Sequence, residues 1–114
     1  MPIEDYRFGR MRIAGTEYTE DLVLLPGGEV CPGWWRREGH RLSLEDLAVV
    51  LESEPEVLVI GTGAFGRMAA PDAVADALRA RGVELMAQPT AEAVDTVRGM
   101  QGDRRVAAGF HLTC

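Results

Sequence analysis

The chain has 114 residues, of which 46% are hydrophobic and 26% charged, with a formal net charge of −6. This is the size and composition of one soluble globular domain, residues 1–114, able to bury a core without metals or disulfide staples. Its acidic balance repels phosphate backbones and argues against broad nucleic-acid binding.

The first part reads as strands and turns. Tyr6 to Ile13 alternates loosely, with Met11 and Ile13 on one face and Arg10 and Arg12 on the other. Ala14-Gly15-Thr16 is a turn, and Leu22 to Leu25 is a short apolar strand stopped by Pro26-Gly27-Gly28. Cys31-Pro32-Gly33 interrupts again. Trp34 to Arg37 is expected to form another strand, turned by Glu38-Gly39.

The second part changes rhythm. Ser43 is placed to cap a helix whose first turn holds Glu45 and Asp46, where the helix dipole favours acids. Leu44, Leu47, Ala48 and Leu51 would form its apolar face. Val57-Leu58-Val59-Ile60 is the continuous apolar run of a strand buried on both faces. Pro71 opens a second helix with Val74, Leu78 and Arg81 aligned, and Gly82 suits its C′ position. Val83 to Met86 is the next strand. Thr90 can cap a third helix with Ala91, Val94 and Val97 inward, and Arg105 to Leu112 is the last strand. Strands first, then α, β, α, β, α, β, predict a three-layer α/β fold. Its central mixed, mostly parallel sheet is flanked by helices and carries an extra N-terminal β layer.

The stretch VLVIGTGAFGRMAAP holds Gly-x-Gly-x-x-Gly at Gly61, Gly63 and Gly66, after a strand and before a helix. Glu84 lies where a ribose-binding acid would be sought. Yet a dinucleotide loop opens its helix within the glycines. Here Pro71 follows Gly66 by five residues, and proline inside a helix costs about 3 kcal/mol. The helix therefore begins at Pro71, Glu84 stands near the start of its strand, and there is no second mononucleotide-binding half. No cofactor is expected. What remains is a turn at the carboxyl end of a parallel strand, where open α/β sheets place ligands. Gly61, Thr62, Gly63 and Arg67, with Arg104 from the final strand, are the candidate contacts for a small anion. Phe65 belongs to the same loop. The plain alternative for Arg104 is solvent, or a surface ion pair with Asp103 or Glu84.

Trp34 and Trp35 are adjacent, so a strand would bury one and expose the other. Beside Arg36, Arg37, His40 and Arg41, an exposed tryptophan is a candidate protein anchor, because Trp and Arg are enriched at hot spots. Trp34, Trp35 and Arg37 are the candidate interaction residues, against the plain reading of a solvated, arginine-rich strand face. His40 and His111 are the only histidines, and no serine or cysteine carries a nucleophile signature. His111 alternates as a sheet-face residue. Cys31 and His40 match no metal-ligand spacing, so no metal is expected.

Several stretches fall in one order: WWRREGHRLSLEDL, PEVLVIGTG, a proline-initiated helix, GVELMAQPTAEAVDT and DRRVAAGFHL. Together, from about Tyr6 to Leu112, the chain resembles the small-domain family that includes the adipogenesis-associated domain protein and a mitochondrial respiratory complex I assembly factor, a methanogen-protein-like domain of unknown function. The resemblance implies a central mixed sheet with helices and an added β layer, its last strand antiparallel to the others. It matches the family's Gly-Thr-Gly to Gly61, Thr62 and Gly63, its arginine before the final strand to Arg104, and its Thr and Ala opening the third helix to Thr90 and Ala93. This chain departs from the pattern at Val97, Arg98, Gly99 and Met100, and at Gly102-Asp103. The resemblance carries no secure catalytic activity and implies assembly or interaction factors.

The expectation is a cytoplasmic, non-enzymatic interaction or assembly module, monomeric or homodimeric, with an unknown protein partner. The alternative is a small-molecule or anion-binding protein using Gly61–Arg67 and Arg104. No apolar run has the length of a membrane span, and the acidic N-terminal MPIEDYRFGR is not expected to act as a signal peptide. Cys31 and Cys114 form no C-x-x-C pair, which fits a reducing cytosol.

Overall fold

The computed structural model describes residues 3–114; Met1 and Pro2 of the acidic N-terminal stretch lie outside the described residues. The chain runs β1 (Ile3–Arg7), β2 (Arg10–Ile13), β3 (Thr16–Tyr18), β4 (Leu22–Leu24), β5 (Val30–Pro32), a 3₁₀ turn (Leu44–Leu47), α1 (Ala48–Glu52), β6 (Val57–Thr62), α2 (Asp72–Ala80), β7 (Glu84–Gln88), α3 (Thr90–Met100) and β8 (Val106–His111). β1, β2 and β3 form an antiparallel sheet, and the others form a five-stranded sheet in the order β5-β4-β8-β6-β7. The predicted α/β architecture with an extra N-terminal β layer is the one observed.

β6 sits inside the large sheet, and all of its residues are buried. Alternation sends Val57 and Val59 to one core and Leu58 and Ile60 to the other. The first core packs β1, β2 and α3 on one face, through Ile3, Met11, Ile13, Val94 and Val97. The second packs the 3₁₀ turn, α1 and α2 on the opposite face, through Leu47, Val50, Val74 and Leu78. Such an apolar run, lying between two covered faces, is the local reason that β6 is central.

Several details differ from the sequence expectations. Tyr6 to Ile13 is not one strand, because Gly9, at φ +78°, turns it into the β1–β2 hairpin. Ala14 and Gly15, at φ +50° and +83°, make the next two-residue hairpin loop. Cys31-Pro32 lies within β5, an edge strand, where a missing proline N–H is tolerated. Trp34 to Arg37 forms no strand, so the burial of alternate residues there has another origin. Around α1, Val50 rather than Ala48 is buried with Leu47. The Ser43 hydroxyl has no partner; instead the Asp46 carboxylate accepts the Ser43 N–H at 2.9 Å. Ala93, not Ala91, faces inward on α3. Gly82, at φ +79°, ends α2 as expected.

One implication of the family resemblance is reversed. β8 runs parallel to β6, with Val57 beside Val106 and Thr62 beside His111. The antiparallel neighbour is β4, which enters from the N-terminal part and pairs with β8 at Val23 and Gly109. The sheet is therefore mixed, with its parallel half at β8-β6-β7 and its antiparallel half at β5-β4-β8. Arg98, at one of the departures from the family pattern, ties α3 to the small sheet. Its Nε donates to Ile3 O at 2.8 Å and its Nη2 to Glu4 O at 2.9 Å.

Candidate functional site

Trp34, Trp35 and Arg37 converge on one feature. A groove of about 590 Å³ lies between the β5 edge and α1, lined by Val23, Cys31, Trp34, Trp35, Val49 and Val50, with Arg37 and Glu45 also at its wall. Its size falls within the range of small-molecule and peptide pockets. The local fold builds it in three steps. Gly33, at φ +73°, turns the chain out of β5, and Trp34 N then donates to Asp21 O at 2.9 Å. The Trp34 ring next lies against β8 where Gly109 has no side chain; a Cβ there would meet the ring at 2.8 Å. Its Nε1 donates to Asp46 O at 3.0 Å, fixing it to the 3₁₀ turn. Trp34 is thus a half-buried wall, and Trp35, 76% exposed, stands free at the rim.

Arg37 Nη1 lies 3.6 Å from Glu45 Oε1, an exposed pair contributing little stability. Burial pushes the Cys31 thiol above its usual range, reinforced by the charge of Glu29, so it stays protonated and is a poor nucleophile. Pro32 removes one N–H from the outer strand, so the groove's side chains, rather than a backbone ladder, are what this edge offers.

The glycine loop is used differently. Gly61 is pressed between strands and helix: an added Cβ would lie 2.9 Å from Phe110 Cδ1 and from Thr90 Oγ1. Thr90 does not cap α3. Its hydroxyl donates to His111 O at 2.6 Å and accepts from Gly63 N at 2.9 Å. Ala64 N donates to Thr113 O, Met68 N to Thr62 O and Ala69 N to His40 O, at 2.6, 3.0 and 2.7 Å. The amides of Gly63, Ala64, Gly66, Met68 and Ala69 are thus committed to the protein's own carbonyls and hydroxyls. Thr62 is buried. Arg67 is exposed, with its guanidinium 5.7 Å from the Phe65 ring, and Phe65 in turn lies 6.2 Å from Phe8.

Arg104 does not join this loop. It precedes Val106, which pairs with the first residue of β6, whereas Gly61 and Thr62 close that strand. Arg104 Nη1 lies 3.4 Å from Glu84, the acid at the position where a ribose contact would be sought, at the amino end of the parallel strands. The two are a surface pair, separated from the glycines by the length of the sheet.

A further cluster escaped the sequence reading. Arg36, expected on an exposed face, is only 8% exposed, and His111 6%. Asp21 Oδ2 accepts from Arg36 Nη2 and from His111 Nδ1, both at 2.8 Å, and Asp21 Oδ1 accepts from Leu112 N at 2.8 Å. Burial would raise the Asp21 pKa, but these donors outweigh it and hold the carboxyl below its usual range. Arg36 Nε donates to Gly39 O at 3.0 Å, and its guanidinium lies 4.7 Å over the Trp34 ring. The cluster is assembled from residues 75 and 90 positions apart. The available signals were a lone histidine ending the apolar strand VAAGFH and an arginine embedded among aromatic residues. Among the described residues, no group of three His, Cys, Asp or Glu side chains is placed to hold a metal ion. Nor is any helix long and apolar enough to cross a membrane.

The fold has close counterparts among solved structures. A conserved hypothetical protein, PH1505 from Pyrococcus horikoshii, is 30% identical over all of both chains, with a TM-score of 0.85. MT938 is 30% identical, with a TM-score of 0.79, covering 99% of this chain and 98% of its own. A Bartonella henselae structure described as an outer membrane protein is 27% identical, with a TM-score of 0.81, over 99% of this chain and 95% of its own. A comparison with curated proteins finds no match. The model of a protein family of unknown function, DUF498/DUF598, matches residues 3–111. With nearly the whole chain inside that match, the protein belongs to the DUF498/DUF598 family.

Proposed function

We propose that this domain is a non-enzymatic interaction module of the cytoplasm, of the assembly-factor type that the resemblance implies, docking a partner protein through the Trp34–Trp35 groove. The observation that carries this reading is the convergence of Trp34, Trp35 and Arg37 on one apolar groove, with Trp35 left 76% exposed. A large, rigid, exposed indole beside an apolar cavity is the arrangement that protein hot spots favour. The inward hydrogen bonds of Gly63, Ala64, Gly66, Met68 and Ala69 N and the raised Cys31 thiol also favour docking over chemistry. The two free cysteines support the compartment.

Affinity purification from the native cell, comparing wild type with Trp35→Ala and Val49→Glu, tests the reading. A stoichiometric partner that is held by wild type and lost from both variants supports it. A partner retained equally by both folded variants would remove the groove from the account.

A further inference from the structure

The outer strands of the two sheets are not built alike. β5, at one edge of the large sheet, has three residues and carries Pro32. In the small sheet β3 also has three residues, and the register of β1 is irregular between Ile3 and Asp5. Shortness, proline and bulges are devices that keep an edge from pairing with another chain. β7, the opposite edge of the large sheet, has none of them. It runs Glu-Leu-Met-Ala-Gln over five residues in unbroken register with β6, without proline, lysine or arginine.

The free side of β7 follows from its ladder. Glu84 N donates to Glu56 O at 3.0 Å, so Glu84, Met86 and Gln88 turn their backbone groups to β6. Leu85 and Ala87 turn theirs outward, and among the described residues no strand lies on that side. Their N–H and C=O groups form a template for one more strand. The template is bounded at both ends: Val83 N is already given to Leu78 O at 2.9 Å, and Pro89 has no N–H. Ala87 is exposed, and Leu85 and Met86 are half-buried, Leu85 packed on the core beneath α2 and Met86 on the core beneath α3.

We propose that β7 pairs with β7 of a second copy of this chain, antiparallel about a twofold axis at Met86, joining the two large sheets into one. The register is set by the free groups. With Met86 opposite the partner's Met86, Leu85 stands opposite the partner's Ala87 as a hydrogen-bonded pair, and every outward N–H and C=O finds a mate. Centring on Leu85 instead sets Ala87 against the partner's Val83, whose N–H is taken. Centring on Ala87 sets Leu85 against the partner's Pro89, which has none. Each of these leaves a carbonyl unpaired.

The side chains match in the same register. The two Met86 side chains meet at the non-hydrogen-bonded position, where strands approach most closely. Glu84, the one charged residue of the strand, stands opposite the partner's Gln88, so no like charges oppose each other. Gln88 Oε1 accepts from Thr96 Oγ1 at 2.7 Å, which leaves the Gln88 amide N–H groups to donate to the partner's Glu84 carboxylate. An edge that complements itself in backbone and side chains is what an isologous contact requires, and this selects a second copy over an unrelated strand. Because β5 and β7 are opposite edges, the Trp34–Trp35 groove stays open in the dimer, and the reading built on it is independent of this one.

Sedimentation velocity of the full chain under reducing conditions tests the association, at concentrations up to about 1 mM because a five-residue edge makes a small, reversible interface. Wild type is expected to pass from monomer to dimer over that range. Ala87→Pro removes an outward N–H and Ala87→Lys places a charge on the edge. Each acts twice by symmetry, so each should weaken association at least about tenfold. Neither removes a hydrogen bond within the chain, so both should keep the wild-type circular dichroism. Disulfide trapping in a Cys31→Ser, Cys114→Ser background tests the register. Met86→Cys should cross-link under mild oxidation, whereas Gln88→Cys should not, its two copies lying about 14 Å apart. A wild type that stays monomeric throughout, an unchanged association in both folded Ala87 variants, or cross-linking from Gln88→Cys in place of Met86→Cys overturns the proposal.

Discussion

Gly61–Pro71 and Trp34–His40 are both irregular, both leave the large sheet, and both hold residues that sequence patterns connect with ligands. They differ in where their groups point. The glycine segment turns five of its amides inward, onto Thr62, Gly63, Thr90, Thr113 and His40; at Gly61 and Gly63, Phe110, Thr90 and Cys114 leave no room for a side chain, and Gly66 holds φ +66°. The tryptophan segment is tied down from beneath, by Asp21 and Asp46, and leaves Trp35 in solvent. A motif that looks like a cradle can thus be a packing joint, while an unpatterned segment carries the open surface.

The largest expected break in this comparison is Gly61→Ala. Its Cβ would sit 2.9 Å from Phe110 and Thr90 side-chain atoms and 3.2 Å from Thr90 Cα. Overpacking of that kind costs about 1–3 kcal/mol, and here a helix backbone and a fully buried ring must both yield, so the upper end is expected in urea unfolding. Asp21→Asn comes next. It removes the charge and leaves one acceptor oxygen for the three donors Arg36, His111 and Leu112 N; because Asp21 keeps 19% side-chain exposure, the expected loss is about 1–3 kcal/mol, below that of a fully buried pair.

The same residue gives a pH signature. Its pKa is lowered in the fold, so its contribution is fully present above the unfolded value near 3.8 and is lost as the pH falls through the lower folded value. Unfolding free energy measured from neutral pH downward should fall in that acid window, and Asp21→Asn should flatten that part of the curve.

Gly109→Ala probes the joint between the two regions. A Cβ 2.8 Å from the Trp34 ring pushes it off β8, costing about 1–2 kcal/mol and altering the fluorescence of a groove-wall tryptophan. Smallest of all is Arg104→Ala, which removes a half-exposed surface pair with Glu84. A change within about 0.5 kcal/mol is expected, with no effect on partner capture.

The sequence made the parallel core legible because its signals are local. Val57 to Ile60 is apolar without alternation, Pro71 marks the start of α2, and Gly82 marks its end. The N-terminal part was harder to read, because its short strands take their identity from neighbours. Cys31-Pro32-Gly33 has the composition of a turn, yet Val30 to Pro32 pairs with β4 as an edge strand. Trp34 to Arg37 alternates like a strand but belongs to no ladder; Trp34 is half-buried because Gly109 makes room for it, and Arg36 is buried because Asp21 pairs with it. Trp34, Trp35 and Arg37 could be singled out by residue type. The Arg36–His111 pairing could not, since it depends on a sheet order that brings the end of β8 beside the β3–β4 connection.

The most direct test places a photo-crosslinking phenylalanine analogue at Trp35, at Val49 and, on the other segment, at Phe65, each exposed on the folded surface. Irradiation in the native cell should give a discrete protein adduct from positions 35 and 49 and none from position 65. Adducts from position 65 alone would contradict the account and return the interaction surface to the glycine loop.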